Sequence, residues 1–341
     1  MSPAGPVRVC VVGCGGVSGS HLAAYQGHRL AALVSCVDVR QPVAERAAQH
    51  YGAARWETDW EAAMERDDVD LVDVCLPHDL HAPVAIAAAR AGKHVFVEKP
   101  IANTLDEADA MIAAARAAGV RLMVDQTKRF EPRHRRIKEL VEAGVIGAPL
   151  LAKSAYPQDI TYAWEHMDPG RKRTYWKHDG VIGGIGIHTL DLLQWFVGPV
   201  TDVRGTVATL ALPHVIEVED TAALRLQHRT ATGDTASSVF HATNGHVENA
   251  PVTVEIVTEH ARLRLDTDLT VTHDDGRVET FHPATAASGE RAYWGASHGL
   301  LIDDFYRHVR VGKHFWIDAP AALETLRVIQ AAYDQTPGLG R

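Results

Sequence analysis

Val7-Arg8-Val9-Cys10-Val11-Val12 runs straight into Gly13-Cys14-Gly15-Gly16-Val17-Ser18-Gly19, and this junction decides the fold. The first six residues, mostly Val, read as a short strand buried on both faces of a parallel sheet. The glycines that follow carry no Cβ, so the backbone can turn tightly and approach a pyrophosphate resting on the N–H groups of the next helix. The spacing G-x-G-x-x-G is met at Gly13 and Gly15, with Gly16 and Val17 completing the turn. Ser18 stands in the third glycine's place, where helix–strand packing asks for a small residue. The second apolar run ends at Asp38, 20 residues beyond Ser18, where an acid can accept hydrogen bonds from an adenosine ribose. A carboxylate there repels a 2′-phosphate. NAD is therefore the expected cofactor and NADP the lesser one, with Arg40 a partial offset.

Outward from this junction, Val-rich runs at 30–37, 71–75, 95–97 and Leu122–Val124 alternate with Ala-rich amphipathic segments at 20–26, 42–51, 83–91 and Leu105–Ala118. Gly92 and Gly119 sit just past two of these segments, where a left-handed helix cap is expected. Such alternation with short connections predicts a Rossmann-type doubly wound sheet. The pattern changes after Asp125. Residues 132–143 read as one more helix and 150–155 as a strand, 156–180 as a long irregular loop, and a further helix starts near Gly186 and ends before Gly198. Between Val200 and Phe281, stretches of alternating polarity such as 221–226, 252–257 and Ala261–Leu265 predict a mostly antiparallel sheet. Helical patterns at 300–310 and 321–333 close the chain. The fold class is α/β: a Rossmann domain over residues 1–125, and an α+β domain for substrate and oligomer contacts over 126–341.

The charge balance narrows the partners. A formal net charge of -9 argues against a nucleic-acid backbone, which is held by basic patches. The basic stretch 128–138 is broken by Phe130, Glu131 and Pro132 and reads as a solvated helix face. No apolar run approaches the roughly 18 residues that span a bilayer, so no membrane partner is expected. Cys10, Cys14, Cys36 and Cys75 fall in or beside buried strands without metal-ligand spacing, and read as reduced core residues. With no leader pattern at the N-terminus, the expected compartment is the cytoplasm.

The chemistry points to Glu98-Lys99-Pro100, just beyond the apolar run 95–97. The carboxyl edge of a doubly wound sheet is where such folds bind ligands. Proline keeps Lys99 out of helical geometry and permits a cis bond. A lysine pinned and partly desolvated there has a lowered pKa and can exchange a proton with a substrate hydroxyl.

Together with Glu98-Lys99-Pro100, four segments resemble the glucose–fructose oxidoreductase / inositol dehydrogenase / rhizopine-catabolism (Gfo/Idh/MocA) family. They are the Gly13–Gly19 turn, Cys75-Leu76-Pro77-His78-Asp79-Leu80-His81, Arg129-Phe130-Glu131-Pro132 and Gly186-Ile187-His188-Thr189-Leu190-Asp191; Asp318-Ala319-Pro320 is similar too. The resemblance implies a second domain with a large open sheet that often mediates homodimers or homotetramers. It also implies hydride transfer between a nicotinamide and a sugar, cyclitol or related polyol. By resemblance, Pro77 and His81 lie along the cofactor, Glu98 and Lys99 beside the nicotinamide, and Gln126 near its carboxamide. His188 corresponds to a histidine next to the reacting hydroxyl, and Asp191, one helical turn later, shares its face.

One position departs from the family. Relatives commonly carry an acid four residues before this histidine, where this chain has Gly184. Lys99 and His188 suffice, or Asp125 or Asp179 replaces that acid, or the chemistry differs. Tyr156, Trp164, Tyr175 and Trp176 offer aromatic faces for a sugar ring, with Tyr156 and Trp176 the favoured substrate contacts. Arg171, Arg173 and Lys177 offer charge for an anionic substituent. His166, His178 and His188 fit no standard metal spacing, and no metal is expected. Three functions follow: a sugar or polyol oxidoreductase that releases its cofactor product, a redox-neutral enzyme that retains NAD, or an NAD-sensing protein without turnover.

Overall fold

The computed structural model describes residues 5–157, 180–213, 216, 218–246, 250–282, 297–313 and 315–336. The chain divides into two compact units. One comprises Met1–Glu131 and Thr285–Leu323, the other Pro132–Ala284 and Glu324–Arg341.

The first unit is a six-stranded parallel sheet. Its elements are β1 (Val7–Val12), α1 (Ser18–Tyr25), β2 (Ala31–Val37), α2 (Gln41–Tyr51), β3 (Arg55–Glu57), α3 (Trp60–Met64), β4 (Leu71–Val74), α4 (His81–Arg90), β5 (His94–Val97), α5 (Leu105–Ala118) and β6 (Leu122–Val124). The strand order β3-β2-β1-β4-β5-β6 is that of a dinucleotide-binding Rossmann sheet. Helix α5 shows why its bounds were readable. Thr104 and Glu107 form a reciprocal capping box at its start, and Gly119 closes it at φ 67°. Strand β3 was not anticipated, because it is three residues long, polar and on the sheet edge, so it lacks the apolar run that marks its neighbours.

The second unit carries α6 (Pro132–Glu142), β7 (Pro149–Pro157), a π-helical turn at Ile182–Gly186, and α7 (Ile187–Val197). Strands β8 (Val200–Ala208), β9 (Thr221–Arg229), β10 (Thr235–Thr243), β11 (Thr253–Thr258), β12 (Ala261–Leu265), β13 (Leu269–His273) and β14 (Val278–Phe281) follow. They join β7 in one eight-stranded sheet of order β14-β13-β12-β11-β7-β10-β9-β8, in which only the β10–β7 pair is parallel. The alternating buried and exposed residues of β9 and β12 reflect one covered face. Leu190, Leu193 and Phe196 of α7 join that face's core with Leu224, Phe240 and Ile256.

Two helices close the chain: α8 (Ser297–Arg310) and α9 (Ala319–Asp334). The anticipated single boundary after Asp125 differs from this arrangement. Helix α8 returns to the first unit, where Leu301, Ile302, Phe305 and Tyr306 share a core with Leu22, Tyr25 and Phe96. Fully burying one such side chain contributes roughly 1.5–3 kcal/mol, so four of them decide where an amphipathic helix goes. Hydrophobic periodicity marks which face of a helix is apolar but not which core it joins. Among the described residues no helix is long and apolar enough to cross a membrane. All four cysteines are free thiols, three of them buried.

Candidate functional site

In the first unit the site begins where β1 ends. Gly13 has φ 94°, and its N–H donates to the Val37 carbonyl over 2.8 Å. A Cβ at Gly13 would lie 2.3 Å from the Cys75 carbonyl oxygen, so only glycine lets this turn pass β4. Ser18 earns its place in the turn by donating its hydroxyl to the Gly15 carbonyl over 2.8 Å, almost fully buried. Gly15, Gly16 and Val17 lie between, with Val17 at the start of α1.

Asp38, just past β2, is buried and heavily engaged. One carboxylate oxygen accepts the Cys14 N–H at 3.1 Å, and the other accepts the Arg40 N–H at 2.9 Å and its Nε at 3.2 Å. The acid expected to meet a ribose thus also anchors the glycine turn and holds Arg40. Replacing it by Ala releases that guanidinium toward any 2′-phosphate. We expect Asp38→Ala to raise the Kd for NAD at least tenfold more than that for NADP, measured by nicotinamide fluorescence. An unchanged ratio would refute the role of Asp38 in cofactor choice.

Pro77 starts a short 3₁₀ turn beyond β4, and His81 opens α4. His81 was expected along the cofactor. Its imidazole is instead wholly buried, with Nδ1 2.8 Å from the Pro100 carbonyl and Nε2 3.0 Å from the Leu76 carbonyl. Whichever ring nitrogen carries the proton donates to one of these carbonyls, and the residue sits between the turn after β4 and the turn after β5. Burial lowers its pKa, against the pull of those two carbonyls.

That second turn is Glu98-Lys99-Pro100, with a cis Lys99–Pro100 peptide. The Lys99 N–H donates to Glu98 Oε2 at 3.0 Å. Lys99 is partly buried, and desolvation lowers the pKa of its ammonium while the charges of Glu98 and Asp125 resist the shift. The resemblance implied a place for Glu98 beside the nicotinamide; its carboxylate is buried in the first unit.

There it meets a buried group in which the sequence had singled out only Asp125; sequence reasoning missed His21, Tyr25, Asp73 and His298. His21 of α1 is fully buried, with Nδ1 2.9 Å from Asp73 Oδ2 of β4, and Nε2 3.1 Å from Glu98 Oε1 and 3.2 Å from Asp125 Oδ2. His298 Nε2 of α8 lies 3.4 Å from the same Asp125 oxygen. Tyr25 donates its hydroxyl to Asp73 at 2.6 Å. Burial disfavours the charged imidazole of His21, yet the charge of Asp73 and its acidic neighbours hold its pKa well above the ordinary value. Burial likewise works against Glu98, and the His21 hydrogen bond and charge overcome it, so that pKa is lowered. Asp125 is the opposite case. Desolvation, then the Glu98 charge, push it up to about 7. Burial, then the His21 charge, bring His298 down to about 3. One signal was available: Asp73 and Asp125 are acids within or directly after apolar strand runs, and buried acids are paired.

His21, Glu98, Asp125 and His298 each offer a ligand atom within 4.8 Å of the others, so this set could also hold a small divalent cation. The expectation of no metal rested on histidines elsewhere in the chain. For a dinucleotide the fit rests on two observations: the Gly13 turn closed to any Cβ, and Gln126. The Gln126 amide is 1% exposed, and among the described residues neither its N nor its O has a hydrogen-bond partner. A buried amide left unmatched costs about 1–3 kcal/mol, which a carboxamide ligand would recover.

In the second unit, His188 is the second residue of α7 and half-buried. Asp191 was expected on the same helix face as His188; it is 1% exposed, and Thr325 of α9 donates to it at 3.3 Å. The π-helical turn ahead of α7 is set by Glu219. Its carboxylate accepts the Ile182 N–H at 3.2 Å and the Tyr333 hydroxyl at 2.6 Å, and its backbone carbonyl accepts the Val181 N–H at 2.9 Å. Tyr156 of β7 packs partly buried against the core. Trp164, Arg171, Arg173, Tyr175, Trp176, Lys177, His166, His178 and Asp179 lie outside the described residues.

Gly184 sits in the π-helical turn, and among the described residues a Cβ built there meets nothing within 4 Å. The missing acid is therefore not excluded by crowding, unlike at Gly186, where a Cβ would lie 2.7 Å from Phe240. We expect Gly184→Asp to fold, with a stability equal to the parent or up to about 1 kcal/mol higher from the lost glycine entropy. A thermal midpoint several degrees lower would show that the turn requires glycine.

Comparison with known proteins fits this geometry. Residues 7–126 match the GFO_IDH_MocA profile, described as "Oxidoreductase family, NAD-binding Rossmann fold", and 134–264 match the GFO/IDH/MocA C-terminal domain. D-apiose dehydrogenase of Paraburkholderia graminis is 27% identical over 333 residues, covering 95% of this chain and 86% of that one. Levoglucosan dehydrogenase of Pseudarthrobacter phenanthrenivorans is 33% identical over 173 residues, 49% of this chain and 43% of its own. Among solved structures, an oxidoreductase domain protein from Kribbella flavida superposes with a TM-score of 0.83 at 28% identity, covering 97% of this chain and 98% of that one.

Proposed function

Because the chain belongs to the Gfo/Idh/MocA oxidoreductase family, with an NAD-binding Rossmann domain at 7–126, we propose that it oxidises or reduces the CH–OH group of a sugar, cyclitol or related polyol. The observation that carries this is the Glu98-Lys99-Pro100 turn. It is pinned at the carboxyl edge of the sheet by the Lys99 N–H, Glu98 and His81 bonds. The names of the relatives, D-apiose and levoglucosan dehydrogenase, support a carbohydrate substrate.

NAD, when bound, supplies the hydride acceptor or donor. Gly13, Gly15, Gly16 and Val17 would hold its pyrophosphate, Asp38 its ribose, Pro77, Glu98 and Lys99 its nicotinamide end, and Gln126 its carboxamide. In the oxidative direction Lys99, as the neutral amine, takes the proton of the substrate hydroxyl, and NAD would supply the hydride acceptor for the carbinol carbon. His188 hydrogen-bonds the same hydroxyl and shares the proton transfer. Tyr156 and Trp176 contact the sugar ring, and Asp191 orients the helix that carries His188. The free thiols suit the reducing cytoplasm, and the outward Leu151 and Val239 on neighbouring strands β7 and β10 offer apolar area for a homodimer or homotetramer.

A panel of sugars and polyols incubated with NAD, followed at the NADH absorbance band, tests the proposal. Turnover of none, with tight NAD binding, would leave a sensing protein. Gly184 favours one second reading: without the acid that normally orients His188, the enzyme retains NAD and runs an epimerisation or elimination through transient oxidation. Product without net NADH would identify it.

A further inference from the structure

Three carboxylates of the first unit converge on one fully buried imidazole. Asp73 Oδ2 lies 2.9 Å from His21 Nδ1, while Glu98 Oε1 and Asp125 Oδ2 lie 3.1 Å and 3.2 Å from His21 Nε2. A single N–H on Nε2 can point squarely at one of those two oxygens, whereas a cation set between them satisfies both. Buried charges are paired or coordinate metals, and one imidazolium balances only one of three acids. His298 Nε2, 3.4 Å from the same Asp125 oxygen, brings a fourth ligand atom, and all four atoms lie within 4.8 Å of one another. Zinc–ligand bonds of about 2.0–2.1 Å set the edge of a coordination tetrahedron at about 3.3 Å. The spacings of 3.1, 3.2 and 3.4 Å match three of its edges.

The surroundings are those of metal ligands. A histidine that ligates through one ring nitrogen almost always donates the other N–H to a carboxylate or carbonyl, and Asp73 stands in that place behind His21. Asp73 is itself fixed by the Tyr25 hydroxyl at 2.6 Å and the Cys75 thiol at 3.6 Å, which makes it a support and not a ligand. Ligating carboxylates are likewise hydrogen-bonded, and Glu98 accepts the Lys99 N–H through its second oxygen. Asp125 Oδ1 is buried without a hydrogen-bond partner among the described residues, so no such bond holds that carboxylate away from an ion. We propose that His21 Nε2, Glu98 Oε1, Asp125 Oδ2 and His298 Nε2 form a structural zinc site, which ties α1, the turn after β5, the end of β6 and α8 together. Two imidazoles disfavour calcium and magnesium, which take oxygen ligands. Four protein ligands close the tetrahedron, so the ion holds the fold and takes no substrate. In the metal-free chain the His21 imidazolium stands between the acids, and zinc displaces its proton. The site does not depend on the reaction proposed above.

The test uses the full chain, stripped with a chelator and titrated with Zn²⁺ against a chromophoric zinc indicator. One tightly held ion per chain is expected, and the thermal midpoint should rise as it binds. Co²⁺ in its place should give the intense visible bands of a tetrahedral site. His298→Gln should raise the Kd for Zn²⁺ at least a hundredfold. Asp73→Asn, which touches the ion only through His21, should raise it roughly ten- to a hundredfold. His282→Gln, at an exposed histidine beside Asp268, should leave it unchanged. X-ray absorption at the zinc edge of wild type should show two imidazoles and no sulfur, and this measurement decides if a variant does not fold. A folded wild-type chain that binds no stoichiometric Zn²⁺ would overturn the proposal. So would an octahedral Co²⁺ spectrum, a sulfur ligand, or wild-type affinity in folded His298→Gln, which would place the ion on other histidines.

Discussion

Lys99→Ala is expected to lower kcat by roughly three orders of magnitude while leaving the Kd for NAD within about a factor of three. The loss corresponds to about 4 kcal/mol of transition-state stabilisation, the size expected when a positioned acid–base group is removed. Binding is spared because the contacts assigned to NAD are made by the Gly13 turn, Asp38 and Gln126, and because the Lys99 backbone remains. Stability should change little. The side chain is only partly buried, and the bonds that fix the turn run through the Lys99 N–H and the Pro100 carbonyl, which Ala retains. The pH dependence gives a second check. Burial lowers the Lys99 pKa, so more of the neutral amine exists at neutral pH than for a solvated lysine, and oxidation should quicken as pH rises toward that value. Stopped-flow hydride transfer and NAD titration separate the two effects. Wild-type turnover in Lys99→Ala would remove Lys99 from the chemistry.

The parts of this molecule that were legible in the sequence are those written in local terms. The strand Val7–Val12, the glycine turn, the Thr104–Gly119 helix with its caps, and the acid at Asp38 each declare themselves within a few residues. The buried group at His21 does not. Its members come from α1, β4, the turn after β5, the end of β6 and α8, up to 277 positions apart between His21 and His298. Only the parallel sheet order and the return of α8 bring them together, and neither is visible to periodicity. His81 shows the same limit from the other side. Its motif context was legible, but the two carbonyls that take up its imidazole belong to turns 5 and 19 residues away. The resemblance gave its neighbourhood, and packing gave its role. Asp191 is similar, since helical spacing placed it near His188 and could not say that Thr325 would meet it.

His21→Ala is expected to be the most damaging single change in the first unit, costing roughly 3–5 kcal/mol at pH 8, as when one partner of a buried ion pair is removed. The variant leaves Asp73, Glu98 and Asp125 facing one another without the cation that bridges them, and it opens a cavity beneath Phe96, whose ring centroid lies 5.1 Å from that of His21. The damage should depend on pH, with a sign fixed by three shifts. His21 is held above its ordinary value, so its contribution is complete below about pH 6.5 and disappears only as pH rises through the higher folded value. Glu98 is held below its ordinary value, so its contribution is complete above about pH 4.5 and is lost as pH falls through the folded value. Asp125 is raised, so its contribution is present at acid pH and is lost as pH climbs to about 7. On these three groups wild type should therefore be most stable between about pH 4 and 5 and lose stability as pH climbs through 7. In His21→Ala both Glu98 and Asp125 lose their cation and bind protons more readily in the folded state, so acidification should recover part of the lost stability. Urea unfolding followed by tryptophan fluorescence at pH 5.5 and pH 8 measures this, and His21→Ala should itself be more stable at pH 5.5 than at pH 8 by about 1–2 kcal/mol. His21→Gln, which keeps a donor but not a charge, should recover hydrogen bonding to one acid and fall between the two. Equal stability of wild type and His21→Ala at pH 8 would mean that the three acids are already protonated without help, and that the imidazole carries no charge in the fold.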